Sequence, residues 1–248
     1  MADEQAAAPL KLNIGAGKTY IPGFVNIDID EKAELSLDLG TQPLPFPDDS
    51  VEEVVSRHTL EHISDYLFAL GEIYRVMRHD GELLLSLPYV TRTEHHLVNP
   101  YHLHNFSELS FDFFDPDALK GSAAEQSETT FRKTFVRYTY NGWFGLAPKP
   151  VRRWARKHLF NVVLQFDIGL VAIKDPSRPV DVGPARARAM EARLDELKWA
   201  RRHYDEAEAG PAAAGAASAA PRSAAARLRR SLAKRRVALR RRWEIRYE

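Results

Sequence analysis

At 248 residues and 44% hydrophobic content, the chain is long enough to bury a substantial core. It contains no cysteine, which excludes disulfides, thiolate zinc sites and cysteine nucleophiles. Net charge is +1, but eleven Arg or Lys against two Glu from Arg222 to Glu248 leave that tail at +9 and residues 1–221 at −8, so a partner is expected for the tail rather than the body.

The start, Met1-Ala2-Asp3-Glu4-Gln5, is acidic and has no apolar signal core. No apolar run approaches the roughly 20 residues that span a bilayer. A cytoplasmic chain with a flexible stretch at 1–10 is therefore expected. Leu12-Asn13-Ile14-Gly15-Ala16-Gly17 then reads as a buried strand ending in a turn, where two glycines let backbone approach a ligand closely. Asn26-Ile27-Asp28-Ile29-Asp30 reads as a second strand with a carboxylate at its tip, the usual partner of ribose hydroxyls. Together they form a nucleoside-binding signature.

Spacing separates three nucleosides. A dinucleotide turn needs a third glycine where Tyr20 stands. A phosphate-cradling loop around Gly17-Lys18-Thr19 would need a glycine at Leu12, inside the strand. S-adenosylmethionine (SAM) has no phosphates and needs only the close glycine approach and the ribose acid. It fits best.

Further blocks follow in order: Asp38-Leu39, the loop Leu44-Pro45-Phe46, the strand-like Val51 to Ser56 running into His58, then Leu60-Glu61-His62. Glu72-Ile73-Tyr74-Arg75-Val76-Met77-Arg78-His79-Asp80-Gly81-Glu82-Leu83-Leu84-Leu85-Ser86-Leu87-Pro88 completes the series, and resembles the helix, tight turn and fifth strand that come next in the family named below. From residue 11 to 89, and more weakly to about 175, the chain resembles class I SAM-dependent methyltransferases. The likeness is to the small methyltransferase-11-like type often associated with surface-polysaccharide biosynthesis. It implies a doubly wound, mostly parallel seven-stranded Rossmann-like α/β sheet with an antiparallel edge. Phe131 to Tyr140 and Val162 to Lys174 would supply that edge. The insertion Asn141 to Lys157, with Trp143, Trp154 and several Arg, would project from it.

The resemblance also implies a site. Asn13, Gly15, Ala16, Gly17, Asp28, Ile29, Asp38, Leu39 and His58 would line SAM. Asp28 would take the ribose hydroxyls, with Asp30 and Glu31 as alternates, and Asp38 would face the adenine amine. Simple turn chemistry is the competing account of these residues. Two departures stand out: Asn13 replaces the acid usual in the family, and Pro22-Gly23 leaves room for at most one helical turn in the first crossover.

His58 and His102 are the candidate catalytic residues. His58 would end a strand at the carboxyl edge, where doubly wound sheets bind ligands, and could take an acceptor proton. Hydrogen bonding to a loop is an equal alternative. His58-Thr59-Leu60-Glu61-His62 also matches the H-x-x-E-H peptidase pattern, but a strand leading straight into His58 keeps the two histidines off a common helix face. In His95-His96-Leu97-Val98-Asn99-Pro100-Tyr101-His102-Leu103-His104-Asn105-Phe106, His102 and His104 could act as base or acceptor ligand, and Tyr101 and Phe106 could pack on a sugar ring. Dense histidine could instead hold a metal. No metal is expected overall.

Residues 185–208 lack Pro and Gly and read as a helix. Gly210 to Pro221 reads as a linker. The expected organisation is a methyltransferase domain over 11–175, helix and linker over 176–221, and a basic tail over 222–248. In the tail, Leu228, Leu232, Leu239 and Trp243 would share one face of an amphipathic helix suited to an anionic membrane surface. Nucleic acid could attract the same charge, and a disordered solubilising tail is the alternative. The expected activity is methyl transfer from SAM to an oxygen of a glycan or small metabolite, beside the membrane's inner face if the tail binds there. The alternative is a catalytically silent SAM-binding module.

Overall fold

Leu12 and Ile14 have no exposure to solvent and neither has Asn13 between them, so the first strand is covered on both faces. That is the signature of a central strand in a parallel sheet. The computed structural model describes residues 9–96, 98–118, 128–203 and, by backbone alone, 244–246. The strands are β1 (Leu10–Ile14), β2 (Thr19–Tyr20), β3 (Val25–Asp28), β4 (Leu35–Ser36), β5 (Val51–Arg57), β6 (Met77–Pro88), β7 (Phe131–Tyr140), β8 (Val163–Ala172), β9 (Arg202–His203) and β10 (Glu244–Arg246). The helices are α1 (Tyr66–Val76), α2 (Thr93–His96), α3 (Lys149–His158) and α4 (Pro184–Ala200).

One sheet runs in the order β10-β7-β8-β6-β5-β1-β3-β4. Pairings among β4, β3, β1, β5 and β6 are parallel, whereas β8 lies antiparallel between β6 and β7. The seven strands β1 and β3 to β8 give the doubly wound sheet with an antiparallel edge that the sequence implies. β10 adds an eighth strand on β7. Of the basic tail, Glu244–Arg246 is therefore strand rather than helix. Leu228, Leu232, Leu239, Trp243 and the linker lie outside the described residues.

The two faces are covered differently. On one, α1 packs Leu70, Ile73 and Val76 against Leu12, Ile14, Val54, Leu83 and Leu85. On the other, α4 packs Ala187, Met190, Leu194 and Leu197 against Val55, Leu84, Phe135 and Val171, with Ile21 and Phe24 of the short first crossover. That crossover contains no helix, as Pro22-Gly23 predicts, and α4 arrives from late in the chain to cover the face it leaves open. The helix is shorter than the sequence suggests. Arg201 turns to extended backbone, and Arg202–His203 pair with Thr19–Tyr20.

The segment after β7 does not simply project. Trp143 and Trp154 are exposed, but Arg152 and Arg156 are buried, with guanidinium groups over the Tyr140 and Tyr138 rings. Stacking lets these cations shed water over aromatic surface.

Candidate active site

The parallel strands β1, β3, β5 and β6 end at one edge of the sheet. Gly15 and Gly17 follow β1 with φ of +71° and +59°, a region that glycine enters without steric cost. The N–H groups of Gly15 and Ala16 both donate to Ile27 O, holding the turn against β3. Gly17 N–H donates to Asp28 Oδ2 at 2.7 Å, and Asp30 N–H to Oδ1 at 3.1 Å. The turn and the strand-tip acid thus meet, and Asp28 rather than Asp30 faces the glycines. A Cβ on Gly17 would meet nothing within 4 Å, which leaves open space over this turn. Ile29 beside it is 71% exposed, an apolar surface suited to a base. An open glycine, a carboxylate and an exposed apolar side chain in this order suit a nucleoside.

Gly15 serves a different purpose. A Cβ there would fall 1.8 Å from Thr59 Oγ1, so its missing side chain makes room for Thr59.

Four of the expected cofactor residues have side chains that are buried or bonded within the protein. Asn13 is fully buried; its amide donates to Asn26 Oδ1 and its carbonyl accepts from Arg201. Asn26 in turn accepts from Ile21 N–H, so the pair locks the short crossover. Ala16 and Leu39 are buried as well, leaving only their backbone for a ligand. The Asp38 carboxylate accepts from Gly40 N–H and Thr41 Oγ1–H, which is turn chemistry.

His58 follows β5 with φ +51°, a left-handed conformation that costs free energy in a non-glycine residue. Its N–H donates to Ser86 O. Its ring lies between Glu61 Oε1, 3.4 Å from Nδ1, and Gln165 Oε1, 3.3 Å from Nε2. Leu60–His62 forms a single 3-10 turn, so the H-x-x-E-H pattern does not make the helix that a peptidase needs. Glu61 is fully buried, and its backbone carbonyl accepts from Leu103 N–H, drawing the histidine-rich loop onto this turn.

His102 sits among His62, His95 and His96, with ring centroids 4.5, 5.6 and 5.5 Å away. Burial lowers the pKa of His102, aided by the neighbouring His62. Burial likewise lowers those of His95 and His96. Neutral imidazoles are favoured here. His104 Nε2–H donates to the carbonyls of Ile63 and Ser64, tying this residue to the turn after Glu61. Phe106 is in the core, while Tyr101 is exposed.

Sequence reasoning missed Gln165, Thr59 and Arg201. Gln165 had a signal: it and Asp167 interrupt the apolar β8 two residues apart, on one face. Arg201 Nη1 reaches Thr19 Oγ1 at 3.3 Å, and burial with the nearby Arg57 charge lowers its pKa to about 10.

Residues 26–85 match a family model described as a methyltransferase domain, Methyltransf_11. The matched stretch runs from β3 into β6, within the parallel part of the sheet. An uncharacterized methyltransferase, YcgJ of Bacillus subtilis, is 28% identical over 97 residues, which cover 39% of this chain and only 36% of that protein. The solved YcgJ structure superposes with TM-score 0.44 at 16% identity, covering 68% of this chain and 93% of the other. A SAM-dependent methyltransferase from Archaeoglobus fulgidus gives 0.46 at 14% identity, covering 66% and 86%. A Haemonchus contortus phosphoethanolamine N-methyltransferase in complex with SAM gives 0.40 at 15% identity, covering 66% and 48%.

Proposed function

We propose that this chain transfers a methyl group from SAM to an oxygen of a glycan or small metabolite. The observation that carries the reading is the Gly17–Asp28 hydrogen bond beside exposed Ile29, at the carboxyl edge where doubly wound sheets take their ligands. Bound SAM would supply an electrophilic methyl on its sulfonium. Asp28 would hold the ribose hydroxyls, and Ile29 would lie against the adenine. Glu61 would favour a proton on Nδ1 of His58, and Nε2, which faces the Gln165 amide, would be the basic nitrogen once the acceptor hydroxyl takes that amide's place. His102 and exposed Tyr101, on the loop that Glu61 anchors, would meet the acceptor, and a tyrosine face suits a sugar ring.

Titration of SAM into wild type and Asp28→Ala tests the cofactor half. The variant should lose about 1.5–3 kcal/mol, the scale of hydrogen bonds to a charged group. Unchanged affinity in a folded variant removes the ribose assignment. Labelled methyl transfer to glycan and metabolite extracts tests the reaction, and His58→Ala should lower kcat more than SAM affinity. SAM binding without turnover on either extract would favour a silent binding module.

The basic tail is proposed to engage anionic lipid, which would bring the site near lipid-linked glycans. Among the described residues no helix is long and apolar enough to cross a membrane. Equal sedimentation with anionic vesicles by the full chain and a chain ending at Pro221 would reject the tail's role.

A further inference from the structure

Glu61 is hard to explain by packing alone. Its side chain has no solvent exposure, and neither carboxylate oxygen accepts a hydrogen bond among the described residues. Burying a carboxylate without donors is costly, and the His58 ring edge at 3.4 Å offsets only part of that cost. A second orphan lies close by: Nδ1 of His102 is buried and has no hydrogen-bond partner among the described residues. One donor atom each from Glu61, His62 and His102 lie within 4.8 Å of one another.

We propose that Glu61, His62 and His102 form a binding site for one divalent transition-metal ion of the zinc class. Two imidazoles and a carboxylate match the three-ligand zinc sets that keep a fourth position open, and imidazole disfavours magnesium or calcium. His62 is already oriented for the task. Its Nδ1 faces Tyr101 O at 3.0 Å, so that nitrogen donates and Nε2 carries the lone pair. A backbone carbonyl fixing the tautomer of a ligating histidine is the common outer-sphere arrangement. Ligand atoms around a tetrahedral zinc lie roughly 3.3 Å apart, so closure needs shifts of about 1.5 Å or less. Exposed His62 and loop-borne His102 can supply these by small rotations. The rings of His95 and His96 pack around His102 and shield it. The proposal goes beyond methyl transfer and does not rest on it.

The test uses the untagged full chain, stripped with a chelator and dialysed. Cobalt(II) titration followed by visible absorption should saturate at one ion per chain, and one equivalent of zinc should displace it. His62→Ala and His102→Ala should each weaken binding by more than the roughly 10–100-fold typical of losing an outer-sphere partner. His203→Ala, on β9, should bind as wild type does. Asp28→Ala should also bind cobalt normally, which separates failure here from failure of the SAM site. Should an alanine variant fail to fold by circular dichroism, the readout becomes the thermal midpoint. Saturating zinc should then raise it in wild type and not in His102→Gln. Absence of stoichiometric binding in wild type, or its survival in the His62→Ala/His102→Ala double variant, overturns the proposal.

Discussion

The two faces of the sheet reach burial by different chemistry. The α1 face is closed by Leu70, Ile73 and Val76, from a helix that directly follows the β5 end it covers. The α4 face has a smaller apolar patch and a polar frame. Arg137 and Asp167, each 1% exposed, pair at 2.7 Å; Arg137 also reaches Asp195 at 2.7 Å, and Lys198 reaches Asp167 at 2.8 Å. Ser86 Oγ–H donates to Asp167 Oδ1, and Arg193 bonds Glu53 of β5. A nearby helix can find its place by apolar shape alone. A helix brought from about 100 residues beyond α1 carries charged groups that match only one position on the sheet, a registry role that buried ion pairs can fill.

The largest expected effect comes from breaking that frame. Asp167→Ala should cost about 3 kcal/mol in urea unfolding, because it removes the buried carboxylate that Arg137, Lys198 and Ser86 share and leaves the half-buried Asp195 to balance the Arg137 guanidinium. Replacing Arg137 and Asp167 together by apolar residues of similar size should recover most of the loss. If the double variant is as unstable as the single one, the pair contributes more than placement. On the opposite face, Leu70→Ala should cost roughly 2–5 kcal/mol through lost transfer and a cavity. It should leave the acid sensitivity of stability unchanged.

Acid should distinguish the faces directly. Burial raises the Asp167 pKa, but Lys198 and Arg137 more than reverse this and hold it at about 2, against 3.8 for the free side chain. A depressed carboxylate stabilises the fold above its unfolded pKa, and that contribution is lost as pH falls through the folded value. Between about pH 4 and pH 2, wild type should lose on the order of 2 kcal/mol that Asp167→Asn does not lose. The smallest effect belongs to the rim of the α1 face. Asp48→Ala removes an exposed partner of Arg75, which keeps Glu72, and should cost less than about 1 kcal/mol.

This contrast also explains what could be read in the sequence. The α1 face and the parallel strands were legible because Leu12, Ile14, Val54 and Val55 follow burial directly. The glycine turn and Asp28 were legible because positive φ and a strand-tip acid leave few alternatives. α4 was visible as a helix, but not as part of the sheet's cover. Ala187, Met190, Leu194 and Leu197 keep helical spacing, but buried Glu191 interrupts that stripe and alanines on the other faces blur it. The surroundings of Asn13 were hidden for a related reason. A polar residue ending β1 points to ligand when the family pattern is followed, yet here it bonds Asn26 and Arg201, groups that single-strand patterning cannot place. The convergence of Glu61, His62 and His102 needs the backbone bonds from Leu103 and His104 to Glu61, which no local spacing reports.

The two-residue pairing of Thr19–Tyr20 with Arg202–His203 has a consequence for biosynthesis. It joins the loop two residues beyond the glycine turn to a segment made more than 180 residues later. A ribosome extends the chain at roughly 5–20 residues per second, and contacts of such separation carry a large closure entropy. The strands and α1 can pair during translation, but the wall behind the first crossover stays unfinished until Arg202 and His203 emerge. A nascent chain stalled before α4 should therefore expose Val55, Leu84 and Phe135 to chaperones while already holding most of its sheet.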